Sequence, residues 1–173
     1  MTRTAKHAEE GTLNLLVGGD EADFQRVRTV LASFTEGVER VGPVSFGHRL
    51  KLLHNYVSIG FMALLSEAAA QAAVADVDPA VFVDVLAKGG GAGVALQRLT
   101  PAIVTDDPST VPFFIGNALK DIGYYLMMAE TSGASTTIAD GVASAIAAVV
   151  ESGHGQAYIP ELVRFLRKQQ PVA

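Results

Sequence analysis

The feature that most constrains this chain is an apolar stretch from Phe46 to Val74, which is rich in Leu and Ala and contains no proline. Its length and composition predict one long helix. Apolar residues fall on all sides of that helix, as is typical of a helix buried all round. Either the rest of the domain or a second subunit must cover it. We therefore expect a helical bundle around this helix and a homodimer formed through it.

The first 43 residues have a different pattern. Residues 12–17 and 38–41 are short runs that predict strands, and a helix capped by Asp20 lies between them. Residues 1–11 are polar and are expected to lack structure. A lone pair of short strands is marginally stable. We therefore expect these strands to lie at the edge of a larger sheet whose other strands are outside this sequence.

The remaining chain alternates helical patterns with Gly, Pro and Asp breaks. Asp78 and Pro79 are typical of a helix start. The helix that starts there is predicted to end at Gly89. Four more predicted helices cover about 93–104, 113–132, 138–152 and 160–168. The fold class is therefore mostly α, with a small strand–helix–strand segment at residues 1–43 and a helical domain at 44–173.

Bulk composition excludes several functions. The net charge of −5 provides no basic face for nucleic acid. Without cysteine there is neither a disulfide nor a thiolate metal site, and the four histidines lack metal-ligand spacing. The start, MTRTAKHAEEG, has no apolar segment typical of a signal peptide. We expect no apolar run of membrane-spanning length without a polar break. A cytoplasmic protein is the resulting expectation.

The stretch around Lys51 and Asn55 offers the best candidate chemistry. Residues four apart share a helix face, and the neighbours of Lys51 are mostly apolar. A lysine in such surroundings suits proton transfer, and an asparagine amide can orient a substrate oxygen because it both donates and accepts hydrogen bonds. The alternative is that Lys51 extends to water and that Asn55 is an ordinary core polar group.

A second candidate is the pair Lys120–Asp121, for which the alternative is a surface charge pair. The glycine-rich segment 89–93 follows a helix rather than a strand. It therefore fits neither a phosphate-binding loop nor a dinucleotide fingerprint, and we interpret it as a connector between helices.

Four segments together resemble the β-hydroxyacid dehydrogenases, a family that includes 3-hydroxyisobutyrate dehydrogenase and tartronate semialdehyde reductase. In order, they are GTLNLLVGGDEADFQRVRTVL, VGPVSFGHRLKLLHN, FFIGNALKDIGYYLMMAE and ESGHG. The sharpest element is the pattern GxxxKxxxN formed by Gly47, Lys51 and Asn55. The resemblance implies an N-terminal Rossmann domain, absent here, and a C-terminal helical domain. Residues 1–43 would then be the end of the nucleotide-binding domain.

The resemblance also implies roles for individual residues. Lys51 matches the catalytic lysine, the general acid/base, and Asn55 matches a residue that holds the substrate oxygen. Phe113 matches an aromatic residue of the substrate pocket, and Lys120 matches a lysine near the cofactor. Asp121, beside it, would be structural.

The N-terminal residues bear on the substrate. Thr2-Arg3-Thr4 occupies the place of a Ser-Gly-Gly in many members, and with Lys51 to Ile59 it looks closer to sulfolactaldehyde reductases. Arg3 and Thr4 would then bind a substrate sulfonate or carboxylate. The resemblance implies NAD or NADP, bound mainly by the absent domain, and a small anionic hydroxyacid or semialdehyde. The alternatives are a non-enzymatic dimerisation module and, with less support, a carrier of small apolar ligands.

Overall fold

The computed structural model describes residues 1–2 and 5–167. The chain divides into two compact units, Met1–Asn55 and a second unit that begins at Tyr56. The division falls inside the long helix. The domain boundary expected between residues 43 and 44 remains a prediction.

The first unit contains a helix, a strand, a second helix and a second strand. These are α1 (Ala5–Glu9), β1 (Leu13–Gly18), α2 (Glu21–Ala32) and β2 (Thr35–Gly42). The expectation that residues 1–11 lack structure was wrong at α1, whose residues Ala5–Glu9 include good helix formers.

The two strands run parallel, with Leu15 beside Val38 and Val17 beside Arg40. Parallel neighbours need a crossover connection, and α2 provides it. The Asp20 carboxylate caps α2 by accepting a hydrogen bond from the Ala22 amide at 2.8 Å. The segment is therefore a strand–helix–strand unit of the type that builds parallel sheets.

The long helix, α3, covers Phe46–Val74, as the sequence predicts. It is not buried all round by its own chain. Ile59 and Met62 are buried, whereas Val57, Phe61 and Leu64 are 49%, 55% and 65% exposed. This chain alone therefore covers only part of α3, and cover of the rest by a second subunit stays a prediction.

The expectation about membrane-spanning runs concerns α3, which contains polar breaks at Ser58, Ser66 and Glu67. By length and composition α3 could cross a membrane, because it has a window of mean hydropathy 1.5 with few charges. The core helices of soluble proteins pass the same test, so this property alone carries little weight.

In the second unit the helices follow one another with short connections. They are α4 (Pro79–Ala87), α5 (Val94–Val104), α6 (Ile115–Ser132), α7 (Thr137–Val149) and α8 (Leu162–Phe165). Asp78 caps α4 through the amides of Ala80 and Val81, and Gly133 ends α6 in the left-handed conformation.

The end of the chain differs from the sequence prediction. After α7 comes a short turn, Val150–His154, that is kinked at Gly153, whose φ of 93° is not helical. A 3₁₀ turn, Ile159–Glu161, then leads into α8. The predicted end at Lys168 lies outside the described residues.

One apolar core joins α3 to α5, α6, α7 and α8. The α3 residues in this core are Ile59, Met62 and Leu65, which are buried but not completely covered. The helices converge on side chains that are completely covered, namely Leu99, Ile115, Ile122, Ile146 and Leu162. The expectation of a mostly α fold is therefore confirmed.

A backbone contact in the first unit fixes the start of α3. A Cβ atom at Gly47 would lie 2.2 Å from the carbonyl oxygen of Leu16, and one at Gly18 would lie 2.6 Å from the carbonyl oxygen of Pro43. The first turn of α3 thus packs on the carboxyl end of β1 at a distance that excludes side chains.

In the second unit, the ring of Tyr56 on α3 stacks on the ring of Tyr125 on α6, with 4.0 Å between centroids and 10° between planes. Burial, and secondarily the charge of Tyr125, raise the pKa of Tyr56 above its ordinary value of 10.0. The stack therefore favours the neutral phenol.

We predict that Gly47→Ala lowers the free energy of unfolding by about 1–3 kcal/mol, the usual cost of overpacking, because backbone atoms of β1 would have to move. Urea denaturation measures the change. The control is Gly60→Ala on the same helix, where nothing lies within 4 Å of the added Cβ; it should raise stability by up to about 1 kcal/mol. Equal stability of Gly47→Ala and the wild type would contradict the close contact.

The pKa of Tyr56 predicts a dependence of stability on alkaline pH. A folded pKa raised above that of the unfolded chain contributes stability that is fully present below about pH 10. That contribution is lost as the pH rises through the folded pKa. Urea denaturation between pH 8 and 11.5 should show a weaker alkaline decline in Tyr56→Phe than in the wild type. Tyr124→Phe, on the exposed side of α6, is the control, and an unchanged slope in Tyr56→Phe would refute the prediction.

Candidate functional site

Gly47, Lys51 and Asn55 follow one another at intervals of four along α3, so they share one face of the helix. Gly47 anchors that face on the carboxyl end of β1. Lys51 and Asn55 are each half-buried one and two turns further on. Lys51 and Asn55 therefore form a line of polar side chains along the helix face that Gly47 places against the end of β1.

Lys51 and the first residue of the chain interact electrostatically. Burial first, and the positive charge of Lys51 second, lower the pKa of the Met1 α-amino group. The lysine charge therefore acts on the start of the chain. Met1 also lies beside β1, because the Thr2 amide donates a hydrogen bond at 3.0 Å to the carbonyl of Asn14, the second residue of that strand.

An open cleft of about 490 Å³ lies at the carboxyl end of β1; Gly47 lines it, whereas Lys51 and Asn55 are not among its lining residues. Its walls are mainly apolar and include Met1, the strand residues Leu15–Gly18, Leu31 of α2, and the segment that begins α3. In open sheets of α/β proteins, ligands bind outside the carboxyl ends of parallel strands. The position of this cleft agrees with that rule.

The sequence did not point to two residues of the cleft wall, Ser45 and His48. Ser45 has a φ of 79°, a conformation that is uncommon for residues other than glycine, and its carbonyl accepts the amide of Arg49 at 3.0 Å. The neighbouring Gly42-Pro43 was the only available signal, and it indicated a turn without indicating a site.

Asn55 lies beside His54, whose Nδ1 is 3.4 Å from the amide oxygen of Asn55. His54 is exposed and Asn55 is half-buried. The amide therefore combines partial burial with a polar neighbour that is open to water, and it retains the capacity both to donate and to accept.

In the second unit, Lys120 projects from α6 with its side chain 54% exposed. Its ammonium is 3.4 Å from the Asp121 carboxylate and 6.0 Å from the ring centre of Tyr124. The Asp121 side chain is only 9% exposed, so this is not an ordinary surface pair. A buried carboxylate and an aromatic face hold a cation that remains accessible.

Phe113 precedes α6 and is half-buried against the main core. The Phe113 carbonyl accepts the amide of Ile159 at 2.8 Å, and the Ile115 amide donates to the Ala157 carbonyl at 2.9 Å. One segment, which contains Ala157 and Ile159, thus holds the backbone of residues 113–115.

Arg3 and Thr4 lie outside the described residues. Over residues 1–2 and 5–167, no group of three or more His, Cys, Asp or Glu side chains has an arrangement that could hold a metal ion.

Comparison with known proteins identifies the family. Residues 46–166 match the family model described as the NAD-binding region of NADP-dependent 3-hydroxyisobutyrate dehydrogenase. The match begins at the first residue of α3 and therefore includes the Gly47, Lys51 and Asn55 face.

Two curated relatives match over most of the chain. The 3-hydroxyisobutyrate dehydrogenase of Pseudomonas aeruginosa is 30% identical over 156 residues, which are 87% of this chain and 51% of that protein. The 3-sulfolactaldehyde reductase of Escherichia coli is 32% identical over 129 residues, 74% of this chain and 43% of that protein. The chain spans about half the length of these relatives.

The fold of this chain is also similar to a solved structure. A solved structure of Mycobacterium tuberculosis 3-hydroxyisobutyrate dehydrogenase with L-serine superposes with a TM-score of 0.86 at 23% identity, and the match covers 96% of this chain and 59% of that one. The family model covers more than half of the sequence, and it matches the helix that carries the candidate site. The chain therefore belongs to the 3-hydroxyisobutyrate dehydrogenase family of NAD(P)-dependent hydroxyacid dehydrogenases.

Proposed function

We propose that this chain is the helical half of an NAD(P)-dependent oxidoreductase that interconverts a small β-hydroxyacid and its semialdehyde. The observation that carries the proposal is the face of Gly47, Lys51 and Asn55, which starts against the carboxyl end of β1. The apolar cleft at that strand end has room for a small substrate.

Lys51 is the proposed general acid and base. In the reducing direction its ammonium donates a proton to the carbonyl oxygen while hydride adds to the carbonyl carbon, and the product is the alcohol. In the oxidising direction the neutral amine removes the hydroxyl proton. Asn55 orients the same oxygen through its amide, and Gly47 lets the helix approach the strand closely enough to place both side chains.

Phe113 is proposed to line the substrate pocket, and Arg3 and Thr4 to bind the substrate anion. The two named relatives act on a carboxylate and on a sulfonate, according to their names. Both anions suit charge-assisted hydrogen bonds from arginine. The proposal therefore specifies a small organic anion and leaves either group open.

The nicotinamide cofactor supplies or accepts the hydride when it is bound. Lys120 is proposed to lie near this anionic cofactor, because its ammonium is accessible and is held by Asp121 and Tyr124. The described glycines at 89–91 lie between α4 and α5, which is not the setting of a dinucleotide fingerprint. We propose that another domain binds most of the cofactor.

A homodimer through α3, in the cytoplasm, completes the proposal. Val57, Phe61 and Leu64 lie at intervals of four and three on one side of the helix and are about half exposed or more. Apolar side chains in a continuous row are typical of a surface that another helix covers.

The same row favours a second candidate function, a helical dimerisation module without catalysis. This alternative needs the exposed side of α3 and has no requirement for Lys51. Substitution of each feature in turn separates the two functions.

We predict that Lys51→Met reduces kcat/KM by about 10²- to 10⁴-fold, the usual contribution of general acid–base catalysis. The measurement needs a full-length enzyme, obtained by joining this chain to the N-terminal half of the Pseudomonas aeruginosa relative. Assays should use 3-hydroxyisobutyrate in the oxidising direction and 3-sulfolactaldehyde in the reducing direction, each with both nicotinamide cofactors, and circular dichroism should show an unchanged fold.

Lys88→Met is the matched control. Lys88 is a surface lysine, 73% exposed, that pairs with Asp84 at 2.6 Å. Its loss should leave kcat/KM within about twofold, since surface pairs contribute little. Near-normal turnover in Lys51→Met would refute the enzymatic role of Lys51 and favour the dimerisation module.

We also predict that Phe61→Glu converts a dimer into a monomer, because the interface would have to bury an unpaired carboxylate. Sedimentation equilibrium measures the mass. Val85→Glu, at a 62% exposed position on α4, should remain dimeric. A monomeric wild type, or equal masses for the two variants, would contradict the proposed interface.

A further inference from the structure

The exposed apolar row on α3 continues towards the start of the helix. Leu50 and Leu53 are 40% and 43% exposed, and they precede Val57, Phe61 and Leu64 on the same side. At about 100° per residue, all five side chains point within about 40° of the direction of Val57. These five residues form one extended row along the helix.

The extended row is symmetric about its central residue, Val57. Leu53 and Phe61 are four residues away from it in opposite directions, and Leu50 and Leu64 are seven residues away. An interface on a two-fold axis requires a surface that is complementary to itself. Two copies of α3 that run antiparallel, with Val57 opposite Val57, would place Leu53 opposite Phe61 and Leu50 opposite Leu64.

The charges of α3 are divided between its two halves. Arg49 and Lys51 are in the N-terminal half, whereas the acidic residue of the helix, Glu67, is in the C-terminal half. Arg49 and Glu67 are both exposed. A parallel pair of helices would therefore place arginine beside arginine, and an antiparallel pair would bring opposite charges together.

The positions of the two exposed charges agree with an antiparallel pair. Arg49 is eight residues before Val57 and Glu67 is ten residues after it. These separations are about 12 Å and 15 Å along the helix, and both side chains are rotated about 80° from Val57 in the same sense. A two-fold axis at Val57 therefore brings Arg49 next to the partner's Glu67 on one flank of the pair, once at each end.

We infer that two copies of this chain pair through α3 in antiparallel orientation, with the extended row at the centre and an ion pair between Arg49 and the partner's Glu67 at each end. The inference rests on the homodimer of the proposed function and specifies its orientation and its charged contacts. The helix face that begins at Gly47 is turned about 80–160° away from Val57, so the pairing leaves the candidate site of each copy open.

Engineered thiols test the orientation, because the chain has no cysteine. Val57→Cys lies on the two-fold axis and should form an intermolecular disulfide under mild oxidation, since Cα atoms within about 7 Å can be bridged. Leu50→Cys and Leu64→Cys should each remain unlinked, because equivalent residues are about 21 Å apart along an antiparallel pair. The double variant Leu50→Cys/Leu64→Cys should form the disulfide. Non-reducing electrophoresis of the whole chain measures the products.

Val85→Cys, at an exposed position on α4, is the control and should remain unlinked. Disulfides in both Leu50→Cys and Leu64→Cys alone would indicate a parallel pair and overturn the inference. An unlinked double variant would overturn it as well, because a wild type that sediments as a dimer would then use another surface. A monomeric wild type would overturn both the inference and the homodimer of the proposed function.

Charge reversal tests the ion pair. Arg49→Glu replaces two attractive contacts in each dimer by two repulsive ones and should weaken the dimer about three- to tenfold. Arg49→Glu/Glu67→Arg should restore the affinity to near that of the wild type. Arg98→Glu, an equal change of charge at an exposed position on α5, is the control and should leave it unchanged. Sedimentation equilibrium gives the dissociation constants, and a double variant as weak as Arg49→Glu would overturn the assigned contact.

The outcome is distinguishable from that of the catalytic proposal. Cross-linking measures association without turnover, whereas the joined enzyme with Lys51→Met measures catalysis. An unlinked double variant, together with turnover that depends on Lys51, would overturn the antiparallel pairing and leave the catalytic proposal standing.

Discussion

The contact on which the candidate site depends is a backbone one: the first turn of α3 lies directly on the end of β1. Gly47 has no room for a Cβ beside the Leu16 carbonyl, and Gly18 has none beside the Pro43 carbonyl. Two glycines therefore set the distance between a strand and a helix of 29 residues. Because Lys51 and Asn55 are rigidly attached to that helix, their position relative to β1 follows from this contact.

Packing supports the rest of α3 by different means. Beyond Tyr56 the helix is held by apolar side chains and by the stack on Tyr125, without any comparable backbone approach at Gly60. Its apolar residues divide into a side buried by α5–α8 and a row that its own chain leaves exposed. A helix with apolar residues all round can therefore give one side to the core of its own chain and leave another side exposed.

The sequence was informative where a local rule determines the structure. Asp20, Asp78 and Gly133 act at helix ends as their chemistry predicts, and both bounds of α3 follow from composition. Burial was less predictable, because apolar periodicity does not distinguish the side facing the chain's own core from the side facing solvent. The cleft residues Ser45 and His48 could not be predicted, since their proximity to Leu15 and Met1 depends on a fold that brings distant segments together. The accessible Lys120 was predictable as a residue, but the burial of its partner Asp121 was not.

The kink at Gly153 has a consequence for how the chain returns to the start of α6. Gly153 has a φ of 93°, which is not helical, so the turn at Val150–His154 does not simply prolong α7. The segment that follows pairs its backbone with residues 113–116 through Gly155, Ala157 and Ile159. Because a positive φ favours glycine, a single residue without a side chain sets the direction in which the chain leaves α7 towards that pairing.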